Sequence, residues 1–435
     1  KAGSTASLTA SLRSHSPVSP GFFMGQAMAR AEDVTQITDR ARPVWESETT
    51  PPTTTHMNHA WISRTLMAAL LGWTGLVHAE DGVSARQLLI GQTITLQGGK
   101  NDYGVAVLAG VETALAEVNR KGGVSGRQVV LKVLDDDNQP AKAEANARQL
   151  IGEHKVFLVF GSLEGGPSTA VMKATTELGV PFFGPMAGSP TLRTPHQPLV
   201  FPVRAEHKEE FRRLLAHARG LGMRRVGFLR ASSETGLLHL ANVKALAQAA
   251  GMELVADLPF ASDVNDAGID ALVSQLAASG AQVVFNHGGI GVYERFIRQA
   301  RAKGLNTAFF GVNSGSTQLA RHLGEKAHGM IFSQVVPSPW ERKTAITRAY
   351  QDAFSTHKPG QDFSYGSLEG YLTGRALVDA LQRAGRQPTR GSFVAGLNNA
   401  TIPIEGLTLR YSDQAHPGLD WVDLAIVTRE GRFRH

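Results

Sequence analysis

The sequence predicts an α/β protein made of two successive lobes, and three observations carry that expectation. From residue 88 onward, short apolar runs alternate with segments of 3.6-residue apolar periodicity, the pattern of parallel strands joined by helices. The alternation closes near Arg204 and then restarts, which divides the chain into two such units. The tail that follows is too short to be a domain, so it is expected to return and complete both lobes. At roughly 100–200 residues per domain, the 435 residues hold two or three domains.

The first unit opens with a strand at Leu88–Leu96, followed by the loop Gln97–Tyr103. Leu108, Val111, Leu115 and Val118 then recur at helical spacing, and Lys121-Gly122-Gly123 ends that helix. Val129–Leu134 is the next strand, closing in three aspartates. Pro140 starts a helix to Ile151, since proline fits a first helical turn. Strands at Val156–Phe160 and Val180–Phe183 flank a helix at Ser168–Leu178. In the second unit, strands fit Arg225–Arg230, Glu253–Leu258, Gln282–Asn286, Ala308–Val312 and Gly329–Val336. Helices fit Leu237–Ala250, Ala267–Ser279, Tyr293–Lys303 and Thr317–Leu323. The tail holds helices at Ser367–Arg383 and Arg390–Leu397, and strand-like runs at Leu407–Tyr411 and Trp421–Val427. The stripe Leu372, Ala376, Leu377, Ala380 and Leu381 is core packing at helical spacing.

Composition sets the class. Apolar residues make up 42% and charged residues 19%, which excludes a mostly disordered chain and a polytopic membrane protein. The formal charge of +6 is spread along the chain and is no nucleic-acid footprint. With no Cys, the chain has no disulfide scaffold, thiolate metal site, Cys nucleophile or lipid anchor on Cys. Residues 1–56 are rich in Ser, Thr and Pro and hold too few periodic apolar positions to offset ordering entropy. The pattern changes at Met57: Arg64, an apolar run from Leu66 to Val77, then Val77-His78-Ala79 before Glu80. Charge, a short apolar stretch and compact residues at −3 and −1 make 57–79 a secretory signal peptide. At about 12 residues the run falls short of the roughly 20 that span a bilayer. Residues 1–56 are then expected to be translated upstream sequence.

An ordered set of segments carries a resemblance. It comprises Gly91-Gln-Thr-Ile-Thr-Leu, Tyr103-Gly104 opening a helix, and Glu117-Val-Asn-Arg-Lys-Gly-Gly-Val-Ser-Gly-Arg. Asp135-Asp-Asp-Asn, Phe160-Gly-Ser, Gly184-Pro-Met-Ala-Gly-Ser-Pro, Gln334-Val-Val-Pro and Tyr365-Gly-Ser-Leu-Glu-Gly-Tyr follow in order. Together they resemble the type I periplasmic binding proteins of the branched-chain amino-acid (Leu/Ile/Val-binding) family of ABC transporters, over nearly all of residues 86–435. The resemblance implies two Rossmann-like lobes joined by a three-strand hinge, with a ligand cleft between them. It places lobe 1 at 86–204 and 337–405, lobe 2 at 205–336 and 406–435, and crossovers near Arg204, Val336 and Glu405.

Ligands of open α/β sheets bind outside the carboxyl ends of strands. Gly161-Ser162-Leu163-Glu164-Gly165-Gly166 ends a strand and enters a helix, where glycines admit close backbone approach and helical N–H groups favour an anion. The residues alone equally fit a strand–helix turn with a capping Ser. By resemblance, Ser162, Gly165 and Gly166, with Ala187, Gly188 and Ser189, hold a ligand carboxylate. Many relatives carry Thr where this chain has Ala187 or Gly188, so the second hydroxyl has to come from Ser189. The same likeness lays Tyr103 over the ligand, although a Tyr opening a helix is also an ordinary half-buried staple. In lobe 2, Glu234, Thr235, Gly289, Ile290 and Asn313 end strands and face the cleft, or else form solvated loops. The family's ammonium-binding acid corresponds to Asn313, a weaker partner for a buried cation, and its wall aromatic to Ile290.

No enzyme, cofactor or metal is expected. Gly288-Gly289-Ile290-Gly291 is not G-x-G-x-x-G, and there is no G-x-S-x-G. Asp135-Asp136-Asp137 lacks calcium-loop spacing, and the 15 His show no H-E-x-x-H. The expectation is a periplasmic, secreted, monomeric receptor that binds an amino acid or related carboxylate and passes it to an inner-membrane ABC permease, with no nucleic-acid partner. A ligand-sensing regulatory protein of the same fold is the alternative, although residues 1–56 show no helix-turn-helix pattern. Intact-mass analysis of the exported protein should find an N-terminus near Glu80. A terminus far upstream would refute the signal-peptide assignment.

Overall fold

The computed structural model describes residues 80–97, 101–261 and 263–435. The expectations for 1–56 and for the signal peptide at 57–79 lie outside the described residues. The elements, in chain order, are β1 (Gln87–Ile94), α1 (Asn101–Arg120), β2 (Gln128–Asp135), α2 (Pro140–Gly152), β3 (Val159–Phe160), α3 (Gly165–Glu177), β4 (Phe182–Phe183) and β5 (Val200–Phe201). After a crossover come α4 (His207–Gly220), β6 (Arg225–Ala231), α5 (Glu234–Ala249), β7 (Glu253–Phe260), α6 (Asp266–Ser279), β8 (Val283–His287), α7 (Ile290–Ala302), β9 (Ala308–Gly311), α8 (Ser316–Leu323) and β10 (Ile331–Gln334). The tail contributes α9 (Ala345–His357), α10 (Tyr365–Arg383), α11 (Arg390–Leu397), β11 (Thr401–Ile404), β12 (Leu407–Arg410), β13 (Asp423–Val427) and β14 (Phe433–Arg434).

The first sheet is wholly parallel, in the order β2-β1-β3-β4-β5. The second runs β14-β13-β10-β9-β8-β6-β7; its five strands from β10 to β7 are parallel, and β13 and β14 add an antiparallel edge. Each sheet therefore reverses its strand order once, between β1 and β3 in lobe 1 and between β6 and β8 in lobe 2. These switch points are where diverging loops leave a crevice at the strand carboxyl ends.

Two helices differ from expectation. α4 buries Phe211, Leu214, Leu215 and Ala218, a spacing already visible in the sequence. α9 buries Ile346, Tyr350, Ala353 and Phe354 behind a reciprocal Thr344–Thr347 cap. The tail also returns later than Glu405. Leu407–Arg410 pairs with Thr401–Ile404 in a hairpin, not with the second sheet. Tyr411 Oη then donates to Pro202 O (2.9 Å) and Leu419 N to Val203 O (2.7 Å), so this stretch runs beside the first crossover. Pairing with lobe 2 begins only at Asp423, opposite Gln334. The strand-like run at Leu407 has an alternating pattern that suits either sheet, and only the hairpin partner selects one.

α10 lies directly on α1 because glycines remove the side chains that would hold them apart. A Cβ at Gly370 would stand 2.0 Å from Val107 O, and one at Gly110 1.9 Å from Ser367 O. This close approach sets α10, and with it Glu369, against the first turn of α1. Gly370→Ala should therefore destabilise by about 1–3 kcal/mol or more through overpacking. Gly152→Ala, helical and facing open space, should be neutral or stabilising by up to ~1 kcal/mol. Thermal melts showing equal effects would refute the close-packing account.

Candidate functional site

The lobe 1 switch point is lined by Gln92 on β1 and by the loop 161–164 after β3. Gln92 and Ser162 are fully buried. Neither amide atom of Gln92, nor Ser162 Oγ, has a hydrogen-bond partner within the protein. Buried polar groups are ordinarily paired, so three such atoms close together make this wall a candidate binding site. The loop is held in unusual backbone. Gly161 has φ 49°, where a Cβ would strike Gln92 Nε2 at 2.8 Å. Glu164 has φ 63° and ψ 155°, a region that L side chains rarely occupy. That conformation starts α3 at Gly165 and turns its first N–H groups toward the crevice side of the sheet.

The other wall is a buried charged hub. Arg204, on the first crossover, pairs with Glu210 of α4 and stands 3.6 Å from Glu369 Oε1 of α10. Glu369 Oε2 accepts from Tyr103 Oη (2.8 Å) and from Asn313 Nδ2 (2.7 Å). Glu210 Oε2 accepts from Asn313 N (2.9 Å) and Ser333 Oγ (2.7 Å), and its Oε1 faces His207 Nδ1 at 2.8 Å. Lobe 1 thus supplies Tyr103 and Glu369, lobe 2 supplies Asn313, Glu210 and Ser333, and Arg204 joins the two. Burial raises the Tyr103 phenol well above its usual value, and the neighbouring Glu369 raises it further. Burial would also raise the Glu210 carboxyl, but Arg204 and then His207 reverse that and bring it down to about 2. Arg193 is another buried guanidinium. Burial lowers it to about 10, and it donates to the carbonyls of Ala187, Ser189, Arg204 and Pro417.

The structure brings most, but not all, of the sequence-expected residues to this crevice. Tyr103, Ser162, Asn313 and Gly165 lie on it. A Cβ on Gly165 would meet Thr235 Cγ2 at 3.1 Å and Ser189 Oγ at 3.6 Å, so Gly165, Ser189 and Thr235 converge across the lobes. Ala187 and Gly188 line the same loop, and Gly188 O accepts from His207 N at 2.9 Å. The Ser189 hydroxyl is already engaged with Thr191 Oγ1 at 2.8 Å. Gly166 points the other way, toward Pro140 of α2. Glu234 is exposed beside a surface depression of about 510 Å³ that it shares with Arg230, Ser232 and Ser233. Gly289 (φ 59°) packs against Phe260, and Ile290 against Gly315, so both serve the lobe 2 core.

Sequence reasoning passed over Gln92, Arg204, Glu210 and Glu369. Gln92 and Glu369 lay inside segments that carry the family likeness, yet a single Gln in a strand or a Glu in a helix signals nothing by itself. The usable signal was polarity in the wrong place: Glu369 interrupts the otherwise apolar stripe Tyr365, Leu368, Leu372.

In open α/β lobes of this kind, ligands are taken at the switch-point loops. Residues 87–419 match the periplasmic binding protein family, and the chain belongs to that family, in its type I, branched-chain amino-acid group. It is 25% identical over 387 residues to Leu/Ile/Val-binding protein homolog 3 of Brucella melitensis, covering 86% of this chain and 100% of that one. A solved structure, described as a possible leucine/isoleucine/valine-binding protein from Rhodopirellula baltica, superposes with a TM-score of 0.75 at 24% identity, over 81% of this chain and 97% of that one. The branched-chain amino acid transporter substrate-binding protein LivJ of Streptococcus pneumoniae, solved with isoleucine, superposes with a TM-score of 0.69 at 18% identity, over 80% and 98%. Members of the family are periplasmic substrate-binding proteins of ABC transporters, not enzymes, and this protein shares that solute-binding role.

The Glu210 value gives a pH prediction. Its folded pKa of about 2 lies below the ordinary 4.5, so its stabilisation is present above 4.5 and lost as pH falls toward 2. The stability gap between wild type and Glu210→Gln should be widest above about pH 5 and shrink by about 3 kcal/mol on acidification. A gap independent of pH would show that Glu210 is not the linked group.

Proposed function

We propose that the protein binds a small zwitterion, an amino acid or a close relative, in the cleft between the lobes and delivers it to an ABC permease. The carrying observation is the pairing of buried polar atoms free of hydrogen bonds on one wall with buried acceptors free of hydrogen bonds on the other. Ser162 Oγ and the Gln92 amide stand beside the N-terminus of α3, where neutral donors and the helix dipole favour a carboxylate. On the opposite wall, Glu369 Oε1 and Asn313 Oδ1 are buried acceptors without a hydrogen bond. There two carboxylates, Glu210 and Glu369, face one guanidinium, Arg204. An ammonium group supplies the charge that this hub lacks.

Glu369 therefore takes over the role that the family likeness assigns to the position of Asn313. The acid comes from α10 instead of a lobe 2 strand end, and Asn313 positions it through Nδ2. The name of the Brucella relative supports an amino-acid ligand. Ligand contacts to both lobes favour a closed arrangement by hinge motion at the crossovers. In this reading the protein is exported through residues 57–79 and acts as a monomer.

Calorimetry with leucine and its des-amino analogue 4-methylpentanoate tests the two ends separately. Ser162→Ala should weaken both ligands by about 1–3 kcal/mol, as expected for a hydrogen bond to a charged group. Glu369→Gln should weaken leucine by about tenfold or more and leave the des-amino acid unchanged. Wild-type leucine affinity in Glu369→Gln would sink the ammonium assignment. Absence of binding by every α-amino acid would sink the ligand class.

A further inference from the structure

Three histidines far apart in sequence meet at the lobe 2 switch point. His207 begins α4, His239 lies on α5, and His287 ends β8. All three are buried, and one ring nitrogen from each lies within 4.8 Å of the others. The His239 and His287 rings are 3.8 Å apart, and His207 stands 5.2 and 5.3 Å from them. His239 is wholly buried, yet neither of its nitrogens has a hydrogen-bond partner. A neutral imidazole carries one donor and one acceptor, so this ring is aimed at nothing the protein supplies.

We propose that His207, His239 and His287 form a binding site for a divalent transition-metal ion of the zinc class. His207 is already arranged as a ligand. Its Nδ1 faces Glu210 Oε1 at 2.8 Å, so a metal would be taken by Nε2 with the Nδ1 proton held by the carboxylate. A carboxylate behind a ligating imidazole is the common outer-shell arrangement of zinc sites. His239 is buried with neither ring nitrogen hydrogen-bonded, so it can ligate without breaking a bond inside the protein. Three imidazoles select zinc, nickel or copper over the oxygen-seeking calcium and magnesium. Zn–N distances of 2.0–2.1 Å place tetrahedral ligand nitrogens about 3.3 Å apart, so modest ring rotations bring the trio into range. Arg193 opposes the ion's charge and Glu210 offsets it. The lobe 1 loop closes the site from above, because a Cβ on Gly188 would stand 2.6 Å from His207 Cγ. The ion ties the start of α4 to α5 and to the end of β8.

The test uses the full chain, purified without a histidine tag and stripped with chelator, then titrated with Zn²⁺ by calorimetry and with Co²⁺ by visible absorption. One equivalent should bind, with the d–d bands of a nitrogen-ligated, low-coordinate cobalt ion. His239→Gln and His287→Gln should each lose about 100-fold or more in affinity, and Glu210→Gln about 10–100-fold. His196→Gln, which alters the separate His196–His416 pair, should bind as wild type. Failure of the folded wild type to bind one equivalent overturns the proposal, whatever the variants do. So does a full-strength site in His239→Gln, or its loss in His196→Gln.

Discussion

Everything at the cleft depends on one buried guanidinium. Arg204 is almost wholly buried and sits where the chain first passes between lobes. A charge in that position is tolerated only when paired, and its two partners come from opposite sides, Glu210 from lobe 2 and Glu369 from lobe 1. Removing any member leaves the others buried and uncompensated. The hub therefore fixes which relative placement of α4, α10 and the crossover is allowed, and it presents Asn313 and Tyr103 in one orientation. Stability and site geometry are the same interaction here.

Backbone proximity does the rest. Gly110 and Gly370 let α10 settle on α1 with backbone nearly touching backbone, which carries Glu369 to Tyr103. Gly165 admits Thr235 from the other lobe, and Gly188 admits His207. At Gly110, Gly370 and Gly188 a β-carbon would force the neighbouring elements apart, and at Gly165 Thr235 would have to give by a few tenths of an ångström.

Legibility followed the range of the physics. The α/β alternation, the loops after β1, β3, β8 and β9, and the candidates Tyr103, Ser162 and Asn313 were visible, because periodicity and turn chemistry are local. Glu369 was not, although it sat within a segment that had been singled out. A glutamate inside a helix looks like solvent exposure until the neighbouring helix is known. Glu234 failed in the opposite way: a charged residue at a strand end suggests a cleft, and the fold turns it outward. The tail was misassigned between Glu405 and Asp423 because an alternating strand does not name its partner.

Fold class, family, the lack of disulfides and the loops that end the parallel strands are readable from the chain alone. These rest on composition, on repeat spacing and on ordered motifs, all properties of neighbouring residues. Packing is what sets Glu369 beside Tyr103 and Asn313, leaves Ser162 Oγ without an internal hydrogen bond, delays the tail's pairing with lobe 2 to Asp423, and brings His207, His239 and His287 together. Those outcomes turn on distances between residues far apart along the chain. Such distances are set by helix packing and by the cost of burying Arg204 unpaired, and no local pattern records either.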